Sequence, residues 1–301
     1  MGQIVFSETI VLIFYMMVGW FLNKKGAYKP SVSVFIGMLL THVALPAAII
    51  HSFQVERTPE IVQLMKTTFV YSLIMLLVTL GVGYGLATIF RKKGVLKRLW
   101  VNCLTFSNIL FIGIPIVGRL YGQEGLIVLV VYNTVTSLFL FTIGIMIFSN
   151  TKEARIRQMF TTPTVVAAFV GIALFALGIK LPQPVASFNE VMSGMTAPLA
   201  MIINGALFSQ NSIASLVTDK DNLQFTLARV ILVPLMFIWV LRLWVHDPII
   251  LGVLTMVTGM PTGSLNALLA EEYGGEGNKV SQYIALSTVV SMVTLPLVMT
   301  L

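Results

Sequence analysis

The chain of 301 residues is 57% hydrophobic and only 10% charged, with a mean hydropathy of +0.92 and a formal net charge of +7. A soluble domain carries about a quarter charged residues, so this composition excludes a water-soluble fold and points to the bilayer. The basic residues fall in short clusters between apolar runs, where they orient a membrane protein, and this argues against nucleic acid as a partner. Cys103 is the one cysteine, which excludes an internal disulfide and a thiolate metal cluster.

A bilayer core of ~30 Å takes ~20 apolar residues per helix. About ten such segments follow one another, over roughly 4–22, 31–53, 66–90, 98–120, 125–148, 161–179, 190–210, 222–245, 248–271 and 280–301. The first lacks a basic leader and an Ala-x-Ala cleavage site and is followed by Lys24 and Lys25, so it is expected to be a retained helix. With the N-terminus outside, thirteen lysines and arginines fall in cytoplasmic connectors, among them Arg91, Lys92, Lys93, Lys152, Arg155 and Arg157. Five fall opposite, and Arg229 stays within the eighth segment. This asymmetry predicts an all-α protein of the cell membrane with ten transmembrane helices and both termini extracellular.

The stretch YGQEG at 121–125 recurs as YGGEG at 273–277, an offset of 273 − 121 = 152, and Pro46 and Pro198 are also 152 apart. Five helices are an odd number, so a five-helix unit repeated in tandem sits in the membrane in opposite orientations. The expectation is two inverted repeats, 1–150 and 151–301, the construction of many secondary transporters.

In the fourth segment, SNILFIGIPIVG at 107–118 carries an asparagine, glycines and a proline; the ninth carries TGMPTGSLN at 258–266. Both hold Gly-x-Pro, at Gly113 to Pro115 and Gly259 to Pro261. Proline removes a helical hydrogen bond, and irregular backbone at membrane depth survives only inside protein or along a wet cavity. A pair of packing kinks is the bland reading. Two broken segments at corresponding places in two halves point instead to a transporter binding site.

These residues carry a family resemblance. SNILFIGIPIVGRLYG resembles the helix-four signature of the auxin efflux carrier family, which includes plant PIN-FORMED proteins and bacterial malate or malonate permeases; Asn108, Gly113 and Pro115 fall on its fixed positions. LARVILVP with Arg229 and Pro234, GMPTGSLNALLAEEYG and the terminal LSTVVSMVTLPL are similar to the family's helices eight, nine and ten. The plant Asn-Pro-Asn-Thr motif of helix six is replaced by TTPTVV, with Thr162 and Thr164 at the asparagine positions, and the long plant loop is absent. The resemblance implies the fold of sodium/bile-acid symporters, with broken helices four and nine crossing. It also implies a scaffold and homodimer surface of helices one, two, six and seven, and a transport unit of helices three to five and eight to ten that moves against it.

A half-helix beginning at Pro115 or Pro261 would aim free N–H groups and a positive dipole end into the crossing, which suits a small organic anion. Asn108 is the first candidate donor, followed by Asn133, Thr262, Ser264 and Asn266; each lone Asn or Thr, Asn204 included, also reads as an interhelical hydrogen bond. All three aspartates lie in connectors and the glutamates at helix ends or loops, Glu8 the deepest, so a midplane carboxylate to couple sodium or a proton is lacking. Backbone carbonyls and hydroxyls at the broken helices could still hold sodium, which keeps a cation-coupled carrier as the alternative. His42 is the titratable alternative or a packing residue. Arg229 reads as a countercharge to the anion or as a side chain snorkelling to the interface. No cofactor is implied. Two further classes remain: an intramembrane hydrolase, for which Ser264 has no histidine placed beside it, and a sensor without turnover.

Overall fold

A computed structural model describes residues 2–149, 160–210, 213–274 and 276–300. Lys152, Arg155 and Arg157, counted above as cytoplasmic, lie outside the described residues. The described residues form helices and no named strand. They comprise α1 (Gly2–Lys24), α2 (30–52), α3 (Pro59–Ile89), α4 (Gly94–Thr105), α5 (109–121), α6 (123–149), α7 (Pro163–Leu177), α8 (Gln183–Gln210, bent at Met195), α9 (Ile213–Thr218), α10 (Lys220–Trp244), α11 (Pro248–Gly259), α12 (Leu265–Gly274) and α13 (Gly277–Val298).

Local chemistry sets many of these boundaries. Thr58 caps α3 by accepting from the Ile61 N–H, with Pro59 in the first turn. Asp247 caps α11 by accepting from the N–H groups of Ile249 and Ile250, both at 2.9 Å, and Pro248 begins the helix. Such side chains satisfy donors that the first turn cannot pair internally. Gly178 ends α7 in the left-handed conformation. Wide π-turns interrupt α2 at Leu40–Ala44, α6 at Leu140–Gly144 and α10 at Ala228–Leu232. The first and third stand just before Pro46 and Pro234, whose missing N–H breaks the normal ladder.

Seven helical stretches among the described residues are long and apolar enough to cross a bilayer, and Pro163–Leu177 and Pro248–Gly259 are shorter apolar helices. One of the seven, Ile109–Ser149, has 41 residues. Straight, it would measure ~60 Å, about twice the bilayer core. It is folded back on itself at Gly122, with φ 58° and ψ −147°. A Cβ on Gly113 would lie 2.9 Å from the Leu129 methyls, and one on Gly118 would lie 3.6 Å from those of Leu126. Residues sixteen apart meet in this way only in a hairpin, so YGQEG is the reversal between α5 and α6. YGGEG lies at the junction of α12 and α13, with Gly275 outside the described residues.

Burial separates centre from periphery. In the most apolar window of 109–149, 67% of residues are buried, against 28% in α1. The outer helices instead expose Phe6, Phe14, Phe35, Trp239 and Leu243, a surface that hydrocarbon solvates and water does not. Helices α1 and α8 touch backbone to backbone: a Cβ on Gly19 would stand 1.9 Å from the Ile202 carbonyl oxygen, and one on Gly205 the same distance from that of Met16. Small residues permit this approach in membranes.

At one end of the molecule a polar cluster ties the α3–α4 turn, α10 and α13. The Asp221 carboxylate pairs with Lys92 at 2.6 Å, accepts from Trp100 Nε1 at 3.0 Å and accepts from the Tyr283 hydroxyl. Lys279 pairs with Asp219 at 2.6 Å. That hydrogen bond holds the Asp219 carboxyl below the usual carboxylate range.

Candidate functional site

Two helices stop in mid-protein and restart. Helix α4 ends at Thr105 and α5 begins after 106–108; α11 ends at Gly259 and α12 begins after 260–264. The two gaps lie against each other and pair as a single antiparallel bridge between Ser107 and Thr262. The Asn108 N–H donates to the Pro261 carbonyl and the Gly263 N–H to the Phe106 carbonyl, both at 2.9 Å. Each gap thus satisfies backbone groups of the other, which hydrocarbon could not do. A Cβ on Gly263 would lie 2.9 Å from the Ser107 carbonyl oxygen, so glycine is required by the close approach.

Asn266 fastens the bridge from α12. Its Nδ2 donates to the Phe106 carbonyl at 2.8 Å and to Thr262 Oγ1 at 3.1 Å, while its Oδ1 has no partner. Phe106 therefore has both carbonyl lone pairs engaged. Arg229, fully buried at 1% exposure, approaches from α10. Its guanidinium donates to the carbonyls of Leu104 at 3.3 Å and Val257 at 3.5 Å and to Ser107 Oγ. The two carbonyls belong to the last turns of α4 and α11, where helix dipoles present partial negative charge.

A cavity of about 300 Å³ opens beside the bridge. The first turns of α5 and α12 border it, as do α2, α6 and the start of α7, and its polar groups include His42, Ser107, Asn108, Asn133, Thr164 and Ser264. Asn108 is 5% exposed and stands at the N-cap position of α5 without a side-chain capping hydrogen bond; its side-chain Nδ2 is buried with no partner. His42 is exposed on this side and hydrogen-bonds Thr41 Oγ1 at 2.9 Å. A smaller cavity of about 50 Å³ lies among α1, α8, α12 and α13 and shares Ser264 with the first.

The structure thus gathers Asn108, Asn133, Ser264, Asn266, His42 and Thr164 around one space. Thr262 and Pro261 belong to the bridge itself, and Asn204 lies on the smaller cavity with its Nδ2 unpartnered.

Three expectations are corrected. Neither half-helix begins at a proline: α5 starts at Ile109, six residues ahead of Pro115, and α12 at Leu265, after Pro261. Pairing between the gaps decides where the helices restart, and Pro115 is carried inside α5 beyond its first turn. Gly113 likewise packs against Leu129 and Met260 and does not border the cavity. Arg229 does not snorkel; three acceptors at the crossing hold its head in the interior.

Sequence reasoning overlooked Ser107, Thr136 and Ser137, which also border the cavity. The last two stand three and four residues after Asn133, hence on its helix face, and that spacing is the signal that could have found them.

Lipid-facing apolar helices around two interrupted helices and a cavity that holds a few polar groups are the features of a multi-pass membrane protein. A family model described as membrane transport protein matches residues 4–158 and 150–299. The chain belongs to this family, the auxin efflux carrier family that its motifs resemble. It is also similar to an uncharacterized transporter of Methanothermobacter thermautotrophicus, with 24% identity over 300 residues covering 97% of this chain and 96% of that protein.

Proposed function

We propose that the protein carries small organic anions, carboxylates such as malate or malonate, bound in the 300 Å³ cavity with a carboxylate group at the first turn of α5. One observation carries the reading: the Nδ2 of Asn108 is a buried donor without a partner at the start of a helix. A helix start adds free N–H groups and a positive dipole end, the arrangement that anions select. The cavity volume sits at the small end of small-molecule sites.

The same reading takes the chain as ten spans in two inverted halves, 1–150 and 151–301. The antiparallel run of the gaps and the two hairpin junctions at YGQEG and YGGEG support it. Helix starts fit the repeat better than prolines do: 265 − 109 = 156 is nearer 152 than 261 − 115 = 146. Helices α3–α6 and α10–α13 form the transport unit, which moves as an elevator against α1, α2, α7 and α8 in a homodimer of the cell membrane with both termini outside.

Flux into proteoliposomes across a panel of short mono- and dicarboxylates and indole acids tests the carrier. Saturable uptake of a carboxylate is expected; a panel without solute-dependent flux removes the proposal and favours a sensor. Orientation is tested by single cysteines at Lys93 and Lys180, since Cys103 is buried: an impermeant maleimide added to intact cells should label position 180 and spare position 93.

A further inference from the structure

The crossing has two electrical faces. On one, the starts of α5 and α12 border the cavity; on the other, the ends of α4 and α11 converge on Arg229. Each helix end carries about half an elementary charge, positive at the start and negative at the end. The two ends together hold roughly one negative charge at a place where Arg229, Leu104 and Val257 are all buried, and a cation between two converging carbonyls of this kind is favoured.

Among the described residues no carboxylate pairs with Arg229. Its acceptors are the two helix-end carbonyls and Ser107 Oγ, an all-oxygen set of the type that coordinates an alkali cation. The π-turn Ala228–Leu232 carries the side chain, and Arg229 reaches the cavity only through Ser107, which borders it.

We propose that Arg229 is a tethered cation that takes the place of a dissolved coupling ion. The guanidinium balances the two helix ends and holds the gaps in register, so the anion face assembles without sodium. Arg229 is a positioning residue: it acts on the bound anion through Ser107 and the bridge, not by contact. The consequence for substrate rests on the anion reading above, whereas the role at the crossing rests on Arg229's own contacts.

The test is thermal unfolding of the purified full chain in detergent, in sodium chloride and in choline chloride at equal ionic strength, for the wild type, Arg229→Ala and Arg229→Lys. The wild type should melt alike in both salts. Arg229→Ala should melt lower by roughly 5–10 °C and recover as methylguanidinium chloride is added at millimolar concentrations, in proportion to occupancy of the vacated space. Specific stabilisation of the wild type by sodium would overturn the proposal, as would a folded Arg229→Ala indifferent to methylguanidinium. If Arg229→Ala does not fold, Arg229→Lys decides: a folded, sodium-indifferent chain supports the tethered charge, and failure to fold means that the shape of the side chain and not its charge holds the crossing. None of these readouts uses a substrate, so an absence of carboxylate flux beside the expected melting pattern would remove the anion reading alone.

Discussion

The two gaps in the crossing share a bridge but divide the labour. The first, 106–108, ends in Asn108, whose side-chain Nδ2 is buried and unspent; the second, 260–264, leads into Asn266, whose Nδ2 is spent on Phe106 and Thr262. At the start of α12 the N–H groups of Asn266 and Ala267 turn back to the carbonyls of Gly263 and Ser264, at 3.0 and 3.3 Å, although the first turns of α5 and α12 both border the cavity. Two motifs alike on paper become, in space, an unpartnered donor beside the cavity and a fastening that holds the bridge.

The sharpest way to break this comparison is at Gly263. An added Cβ meets the Ser107 and Phe106 carbonyl oxygens at 2.9 and 3.2 Å, and backbone there cannot retreat without undoing the bridge. Gly263→Ala should cost about 3 kcal/mol or more of stability, read as a fall in melting temperature or as loss of the monodisperse peak in gel filtration. Next comes Asn266→Ala, which deletes two buried hydrogen bonds worth about 1 kcal/mol each. It should melt several degrees lower, and a variant as stable as the wild type would show that the fastening lies elsewhere.

Asn108→Ala reverses the pattern. It removes a buried donor that has no protein partner, so it forfeits no hydrogen bond and should cost less stability than Asn266→Ala, whereas carboxylate affinity should fall about 10- to 100-fold for one lost hydrogen bond to a charged group. Equal stability losses in the two asparagine variants would abolish the division of labour. The smallest effect is expected far from the crossing, at Asp219. Its pKa is depressed in the folded chain by Lys279, so its contribution is present above the unfolded pKa of about 3.9 and fades as pH falls through the lower folded value. The difference in melting temperature between wild type and Asp219→Asn should therefore be constant near neutrality and shrink below about pH 4.

Much of the frame was legible in the sequence. Glycine and proline inside an apolar run located the second gap, where Pro261 and Gly263 lie, whereas Gly113 and Pro115 lie inside α5, past the first gap; YGQEG located a reversal, because these are local departures from helix chemistry. The restart points were not legible. They depend on pairing between Ser107 and Thr262, residues far apart in the chain, and no local propensity encodes such a bridge. Nor could spacing separate Asn108 from Asn266, since the distinction lies in which amide finds an acceptor across the gap. Arg229 was misplaced for a related reason: depth along a helix says how far a long side chain must travel to water, but not that three oxygens wait nearer.

The contact between α1 and α8 has a consequence for how such a chain can evolve. Gly19 meets the backbone at Ile202, and Gly205 meets the backbone at Met16, so each glycine is held by main-chain atoms of the opposite helix. No compensating side-chain change can make room, because there is no side chain to trim. Neither position can change first, and the pair can be left only by moving two whole helices apart. If the cavity holds the cargo as proposed, selection for new cargoes is channelled to its walls, where Thr41, Thr136 or Thr164 can be exchanged one at a time while the α1–α8 contact stays fixed.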